Sequence, residues 1–173
     1  MLNKKVIKAI NGDEKSFCEL IEDNKEKIYR MAYSYVNDKD EALDVVQDAV
    51  YKAYISIKKL KNPEFFTTWL TRIVINSALN SIKKSKKIVY IDEYTNDAGS
   101  DDLKEIEDSM DLHTAINSLD DKYKTIVLLK FFEDRTLEDI SQILNLPLST
   151  VKSRLYRALN KLKLNLKEAE NFE

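Results

Sequence analysis

The residues between 147 and 167 combine hydroxyl groups and positive charges at helical spacing. This stretch has six basic residues and no acidic one. Its apolar residues recur every three or four positions and predict one buried helix face: Val151, Leu155, Ala158 and Leu162. The opposite face carries polar side chains, with Arg154 on the flank: Ser149, Lys152, Ser153, Tyr156, Arg157 and Lys161. Groups of these types can contact the base edges and phosphates of DNA.

A second group of basic residues lies between positions 52 and 88. This segment holds nine Lys or Arg residues and one acidic residue, Glu64, which gives a net charge of +8. Four polar residues within it share one helix face: Arg72, Asn76, Asn80 and Lys83. Amide and cationic groups in such a stripe can hold a nucleic-acid strand. A basic helix face that only keeps a protein in solution produces the same pattern, so that alternative stays open for each segment.

The two basic segments are separated by an acidic one. Residues 89–111 hold nine acidic residues and one Lys, a net charge of −8. The whole chain has 28 basic and 30 acidic residues, so its net charge of −2 hides this alternation. The polar, aliphatic-poor composition of residues 94–102 is typical of a flexible linker.

Few residues in this chain could support catalysis or metal binding. There is one cysteine, Cys18, and one histidine, His113, which is too few for a zinc site, a disulfide or a Cys/His nucleophile pair. Cys18 is expected to be a buried small residue. The two glycines, Gly12 and Gly99, exclude a glycine-rich phosphate loop. We therefore expect a protein that is not an enzyme and needs no cofactor or metal.

Helices must position these side chains, since two Gly and two Pro in 173 residues leave few turns for a sheet. Asp13 is expected to cap one long helix that reaches Tyr35. Asp38 and Glu41 have the spacing of a capping box and begin a second helix. Its predicted buried stripe is Ala42, Val46, Ala49, Ala53, Ile57 and Leu60. A third helix is predicted from about 65 to 87, with an inward face of Phe66, Leu70, Ile73, Val74 and Ala78.

The C-terminal part contains the pattern of a helix-turn-helix. Asp120 is predicted to cap a helix that runs through Ile126, Val127 and Phe131. Thr136 and an acid three residues later form a capping box, Asn145 suits the positive φ of a turn, and Pro147 suits the start of the next helix. The fold class is therefore all-α, with two small domains and a linker. The predicted boundaries are 1–88, 89–111 and 112–173.

Four blocks of the sequence resemble bacterial RNA polymerase sigma factors of the extracytoplasmic-function class. Residues 12–20 are similar to the opening helix of that family. The run DVVQD at 44–48, followed by KAY at 52–54, resembles its polymerase-docking segment. The run FTTWLTRI at 66–73, with Asn76, resembles the segment that melts and reads the −10 promoter element. The run TVKSRLYRA at 150–158 closely matches the helix that reads the −35 element.

This resemblance implies a promoter-recognition subunit that directs RNA polymerase core to the promoters of a stress or envelope-response regulon. The residues implied in docking on the coiled coil of the largest polymerase subunit are Asp44, Gln47, Asp48 and Tyr51. The residues implied at the −10 element are Lys61, Asn62, Phe65, Arg72, Asn76, Asn80 and Lys83. Those implied at the −35 element are Ser149, Thr150, Lys152, Ser153, Arg154, Tyr156, Arg157 and Lys161. An anti-sigma factor is an expected partner.

Some residues depart from the family pattern. The family commonly has Gly where Asn145 and Ser149 stand, and many members have a glycine in the loop that here contains Pro63. A free-standing helix-turn-helix regulator that binds operators as a dimer stays open as an alternative, whereas an enzyme is disfavoured. With no apolar run of about 20 residues for a membrane span and no signal-peptide pattern, the expected location is the cytoplasm, without membrane insertion.

Overall fold

The computed structural model describes residues 2–92, 112 and 114–170, and every regular element within those ranges is helical. The chain divides into two compact units, Met1–Ser85 and Lys86–Glu173. His113 and almost all of the predicted acidic linker lie outside the described residues. No helix in the described part is both long enough and apolar enough to span a bilayer.

The first unit is built from successive helices connected by short turns. Their bounds are α1 Leu2–Ile10, α2 Glu14–Glu22, α3 Lys25–Val36, α4 Lys39–Ser56 and α5 Phe66–Asp92, of which the part up to Ser85 belongs to this unit. Two short 3-10 turns, Ile57–Lys59 and Pro63–Phe65, connect α4 to α5. The turn between α1 and α2 needs a left-handed residue, and Gly12 supplies it with a φ of +96°. The end of α5 at Asp92 lies five residues beyond its predicted end.

The single long helix predicted between Asp13 and Tyr35 is wrong, because the chain forms α2 and α3 instead. The break falls at Asp23 and Asn24. The Asn24 side-chain amide donates a hydrogen bond to the Leu20 carbonyl at 2.7 Å, which lets the side chain compete with the helical ladder. The Asn24 backbone N–H donates a hydrogen bond to the Ile21 carbonyl at 3.0 Å, which closes a tighter turn than that of an α-helix. The predicted burial of Cys18 is also wrong, since this thiol on α2 is exposed.

The caps at the start of α4 and at the loop before α5 explain where those helices begin. The Asp38 carboxylate accepts a hydrogen bond from the Glu41 N–H at 2.8 Å, as an N-cap residue should. Asn37 ends α3 in the left-handed region with a φ of 57°. The Asn62 side chain accepts from the Glu64 N–H at 3.0 Å and so caps the 3-10 turn that Pro63 begins, immediately before α5.

A row of residues four apart runs along the buried face of α4 and another along that of α5. On α4 the row is Val45, Ala49, Ala53 and Ile57, with Ala42 also buried. The sequence prediction named Val46 and Leu60 in this stripe, but both are only half-buried. On α5 the row is Phe66, Leu70, Val74 and Ala78, while the predicted Ile73 is half-buried. Such i±4 rows are the ridges by which neighbouring helices interdigitate.

The second unit contains the predicted helix-turn-helix. Its helices include α6 Asp121–Val127, α7 Leu137–Leu144 and α8 Leu148–Glu170, and one π-helical turn, Leu128–Phe132, extends α6. The described residues 114–117, before α6, are helical as well. Its core includes Ile126, Leu129, Ile140, Ile143 and Val151, all nearly inaccessible to solvent. The helix continues through Phe131 as predicted, but its last turn is π-helical, and 54% of the Phe131 surface is exposed. The wider π turn rotates the residues after Val127 away from the face that a regular α-helix would present.

Candidate nucleic-acid and protein interfaces

The first helix of the helix-turn-helix begins at the capping box that the sequence predicts. The Asp139 N–H donates to Thr136 Oγ1 at 3.0 Å. In return, the Thr136 N–H donates to Asp139 Oδ2 at 3.1 Å. This reciprocal pair satisfies two amides that the helix itself cannot pair, so the orientation of α7 is set by local sequence.

The turn between α7 and α8 is also as predicted. Asn145 adopts the left-handed conformation, with φ 52° and ψ 49°, which Asn tolerates better than most residues. The Leu146 N–H donates a hydrogen bond to the Ser141 carbonyl at 3.0 Å. The Pro147 carbonyl then accepts from the N–H of Thr150 at 2.9 Å and from the N–H of Val151 at 3.1 Å. Pro147 therefore stands immediately before α8, where its missing N–H leaves no unpaired donor.

The outer face of α8 presents most of the residues that were predicted to contact DNA. Tyr156 is 69% exposed, and five further side chains are exposed: Ser149, Lys152, Ser153, Arg157 and Lys161. Thr150 and Arg154 are half-buried. The Ser153 hydroxyl donates to the Thr150 carbonyl at 3.0 Å, so its oxygen remains available as an acceptor.

Lys161 has contacts within its own unit that the sequence did not reveal. Its Nζ lies 3.1 Å from Asp120 Oδ2, a residue 41 positions earlier. The same atom lies 5.0 Å from the centre of the Tyr123 ring, within range of a cation–π interaction. Lys161 therefore ties α8 to the start of α6, in addition to any contact with phosphate.

The polar stripe of α5 and the loop before it are open to solvent. Arg72, Asn76, Asn80 and Lys83 are all exposed on α5. Lys61, Asn62 and Phe65 are exposed in the loop, and Phe65 retains 46% of its accessible surface. Trp69 is half-buried, and its ring centre lies 5.9 Å from that of the fully buried Phe66. Trp69 therefore packs partly in the core, and only part of its ring is available to stack on a base.

The outward face of α4 contains the four residues predicted to dock on polymerase. Asp44, Gln47, Asp48 and Tyr51 are all exposed. Three large apolar residues that the prediction missed share this face: Leu43, Tyr54 and Ile55, with exposures of 56%, 46% and 58%. Leu43 and Ile55 could have been identified from the sequence, because they lie in one helical row with Gln47 and Tyr51, one residue in every four. Exposed apolar groups among acids are typical of a protein contact rather than a solvated helix face.

Asp48 is held by groups on both α4 and α5. Lys52 Nζ lies 2.5 Å from Asp48 Oδ2 and donates a second hydrogen bond to Ser77 Oγ on α5 at 3.2 Å. Partial burial alone would raise the pKa of the Asp48 carboxyl. The hydrogen bonds with Lys52 and Ser77, helped by the charges of Lys52 and Lys84, outweigh this and hold the pKa below its ordinary value.

Tyr54 connects the end of α4 to the start of α2. Its hydroxyl donates to Glu14 Oε1 at 2.8 Å, and its ring meets Phe17 edge to face with centres 5.3 Å apart. The hydrogen bond to Glu14, together with the charge of that carboxylate, raises the pKa of Tyr54. These residues border an open groove of about 360 Å³, which also reaches Gly12 and Ile55.

Comparisons with known proteins match both units. The family model for Sigma-70 region 2 matches residues 20–88, and the model for Sigma-70 region 4 matches residues 109–162. The RNA polymerase sigma factor SigV of Bacillus subtilis is 40% identical over 84% of this chain and 88% of its own length. The ECF RNA polymerase sigma factor SigW of the same species is 31% identical over 97% of this chain and 98% of its own. The chain is an extracytoplasmic-function sigma factor.

Solved structures support the same fold for this sigma factor. The sigma factor RpoE from Bartonella quintana, in complex with the anti-sigma factor NepR, is 24% identical, with a TM-score of 0.70, and the match covers 88% of this chain and 98% of that one. CnrH, in complex with the cytosolic domain of CnrY, is 18% identical, with a TM-score of 0.72 and coverage of 96% and 97%. At these identities the likeness concerns the fold alone.

Family membership assigns the general role of this sigma factor. It binds RNA polymerase and recognises promoter elements, and it is a transcription initiation factor rather than an enzyme. The region 4 match contains α7 and the part of α8 that carries the exposed basic face, and the region 2 match contains α3, α4 and most of α5. Among the described residues, no cluster of His, Cys, Asp and Glu could hold a metal ion.

Proposed function

We propose that the sigma factor performs its three binding tasks with three separate faces. The outward face of α4 docks on the coiled coil of the largest polymerase subunit. Its apolar residues Leu43, Tyr51 and Ile55 are exposed beside the carboxylates of Asp44 and Asp48. Apolar contact at the centre with charged groups at the edge gives both affinity and orientation.

The −10 element is bound by α5 and the loop before it. Arg72, Asn76, Asn80 and Lys83 would line the path of a single strand, with Lys61, Asn62 and Phe65 at its entrance. The Asn76 amide offers a donor and an acceptor to the edge of an unstacked base. The lysines of residues 83–87 neutralise phosphates.

The −35 element is read by the exposed face of α8, as in other helix-turn-helix proteins. Lys152, Ser153, Tyr156 and Arg157 contact bases and backbone, with Ser149 and Thr150 at the N-terminal end of the helix. Arg154 and Lys161 contribute positive charge toward phosphates. The strongest support for this proposal is the combination of a capped α7, a left-handed turn at Asn145 and an outward basic face on α8.

The proposed domains are 1–88 for polymerase and −10 binding, 89–111 as the acidic linker, and 112–173 for −35 binding. The two structural neighbours were both solved with a bound partner protein, and one of those partners is named an anti-sigma factor. We include an anti-sigma factor as a partner of this chain on that basis. The proposed location is the cytoplasm, and the proposed targets are promoters of a stress or envelope-response regulon.

The deciding experiment combines a pull-down with transcription in vitro. Purified chain should co-purify with core RNA polymerase, and the complex should start transcription at a defined set of promoters selected from a genomic library. Arg157→Ala should reduce transcription from these promoters about tenfold or more, because a base-reading Arg contributes about 1–3 kcal/mol. Arg30→Ala, a change at an exposed residue of α3, should have no such effect.

The same experiment separates this proposal from the alternative of a dimeric operator-binding regulator. Tight, specific binding of duplex DNA by the chain alone, without association with polymerase, would contradict a sigma factor that acts within holoenzyme. An unchanged promoter response in Arg157→Ala would remove this residue from the −35 surface.

A further inference from the structure

The loop that carries three of the residues proposed to contact the −10 element lies against the first helix of the chain. This −10 loop, residues 57–65, consists of the 3-10 turns Ile57–Lys59 and Pro63–Phe65 and the residues between them. Helix α1 packs on α2 and on both turns. Its buried residues are Val6 and Ala9, with 0% and 2% of their surfaces exposed. The apolar face of α1 therefore lies on α2 and on the two turns.

Hydrogen bonds within the −10 loop shape each turn separately. In the first turn the Leu60 N–H donates to the Ile57 carbonyl at 3.0 Å. In the second turn the Phe65 N–H donates to the Asn62 carbonyl at 3.2 Å. Neither bond connects the two turns, whereas α1 contacts both, and its Ala9 borders the same groove as Ile57. The position of Asn62 therefore depends on α1 as well as on the sequence of the loop.

Helix α1 is itself fixed on α2 by an ionic contact. Lys5 Nζ lies 2.9 Å from Asp23 Oδ2 and 3.4 Å from Glu19 Oε2. The helix has nine residues, and an isolated helix shorter than about 12–15 residues is only marginally stable in water. Because packing and ion pairs keep α1 folded and in place, a change that weakens α1 should also release the −10 loop.

We propose that α1 holds the −10 loop in the conformation that reads its base, with Val6 as the central positioning residue. This inference rests on the proposed function. A loop that already has its bound conformation loses less entropy on binding, and it places its hydrogen-bonding groups accurately toward the correct base. A loosened loop can adapt to several bases. Weakening α1 therefore lowers the discrimination between bases at the position that the loop reads.

The test measures discrimination between bases rather than affinity alone. Fluorescent single strands with the nontemplate −10 sequence of a promoter transcribed by the wild-type holoenzyme are titrated with holoenzyme, as are strands in which each base is replaced in turn. The discrimination factor is the ratio of the affinities for the original and the replaced strand. We expect Val6→Ala to lower this factor about fivefold or more at the position read by the loop, since a well-placed hydrogen-bonding pair discriminates its base by at least about this factor. At positions read by α5 the factor should be unchanged.

Two variants at one exposed position test α1 without making a cavity. Lys8→Gly and Lys8→Ala remove the same exposed charge from α1, but Gly is a much poorer helix former than Ala. Lys8→Gly should therefore lower the discrimination factor at the position read by the loop, whereas Lys8→Ala should leave it at the wild-type value. Lys8→Gly also serves as the test if Val6→Ala fails to fold.

A loss of stability alone gives a different result. A smaller fraction of folded protein lowers the affinity for every strand by the same factor and leaves all discrimination factors unchanged. Val45→Ala, the same change at a residue of α4 that is 2% exposed, is the matched control and should behave in this way. If either Val6→Ala or Lys8→Gly folds and leaves the factor of the loop unchanged, the proposal is overturned. A fall of equal size at the positions affected by Asn76→Ala would also contradict it.

Asn62→Asp tests the proposed function separately. It keeps an oxygen that can accept from the Glu64 N–H but removes the amide donor, and the position at which it changes discrimination is the one read by the loop. If Asn62→Asp changes one position while the variants of α1 change none, only the positioning role is refuted. If neither Asn62→Asp nor Phe65→Ala changes any position, the −10 surface itself is wrongly placed and the positioning role falls with it.

Discussion

The replacement of Asp48 by Lys tests the docking face most directly. This change removes the ion pair with Lys52 and places a third positive charge near Lys52 and Lys84. The side chains of the pair are 46% and 40% exposed, and ion pairs at this exposure contribute about 0.2–1 kcal/mol. Repulsion between like charges four residues apart on a helix adds about 0.3–0.5 kcal/mol. The expected loss of stability in the first unit is therefore about 1 kcal/mol.

The expected loss of polymerase affinity is larger. When one partner of a hydrogen-bonded charge pair is removed at a protein interface, binding weakens by about 2–5 kcal/mol. This corresponds to a dissociation constant raised about 30-fold or more. The low pKa of Asp48 keeps the wild-type carboxylate ionised at neutral pH, so the comparison is between a full negative and a full positive charge.

Two measurements separate these effects. Trp69 is the only tryptophan and lies in the first unit, so its fluorescence during urea unfolding reports the stability of that unit alone. Fluorescence anisotropy of labelled sigma factor gives the affinity for core polymerase. Glu26→Lys, a charge reversal in the first turn of α3, is the matched control: it should lower stability by about 0.3–1 kcal/mol and leave polymerase affinity near the wild-type value.

The reasoning about Asp48 fails under either of two results. In the first, Asp48→Lys folds normally and binds core polymerase within about threefold of wild type, which would place the docking contact elsewhere. In the second, it loses binding to polymerase and to −35 duplex alike, which would contradict the assignment of those tasks to separate faces.

Three further substitutions test local features of the two units. Thr136→Ala should lower the free energy of unfolding of the second unit by about 1 kcal/mol, seen as faster hydrogen exchange of the α7 amides, and Thr136→Ser should largely restore it. The hydrogen bond from Tyr54 to Glu14 raises the pKa of Tyr54, so it stabilises the first unit below about pH 10. This stabilisation is lost as the pH rises through the higher pKa of the folded state. Tyr54→Phe should abolish this loss of stability at alkaline pH, as measured by tryptophan fluorescence during urea unfolding. Lys161→Met should lower the stability of the second unit by about 1 kcal/mol, through its contacts with Asp120 and an aromatic ring, as measured by thermal circular dichroism.

The helix-turn-helix could be predicted from sequence because its determinants are local. Thr136 and Asp139 are three residues apart, and Asn145 needs only its own backbone conformation to form the turn. The same holds for Asp38 at the start of α4. The break at Asn24 is also local, since the Asn24 amide bonds to the Leu20 carbonyl four residues earlier, but an Asn within a helical pattern does not by itself predict this hydrogen bond.

Contacts between distant residues could not be predicted in this way. The hydrogen-bonded residues Lys52 and Ser77 are 25 positions apart in the sequence, and Tyr54 and Glu14 are 40 positions apart. Helical spacing predicts which residues share a face, but not which neighbouring helix that face meets. This is also why Val46 was preferred to Val45: both lie close to the apolar stripe of α4, and only the packing of α4 against its neighbours decides which of the two is buried.

The charge distribution suits a protein that meets DNA as part of polymerase. The segments 52–88 and 147–167 have net charges of +8 and +6, but residues 89–111 contribute −8 and the chain as a whole has −2. At distances beyond about 8–10 Å in physiological salt, charges are screened and only local charge steers association, so the free chain gains little long-range attraction toward DNA. Promoter search by the isolated protein would therefore be slow. Once α4 is docked, polymerase supplies the encounter with DNA, and the two basic faces need only make short-range contacts.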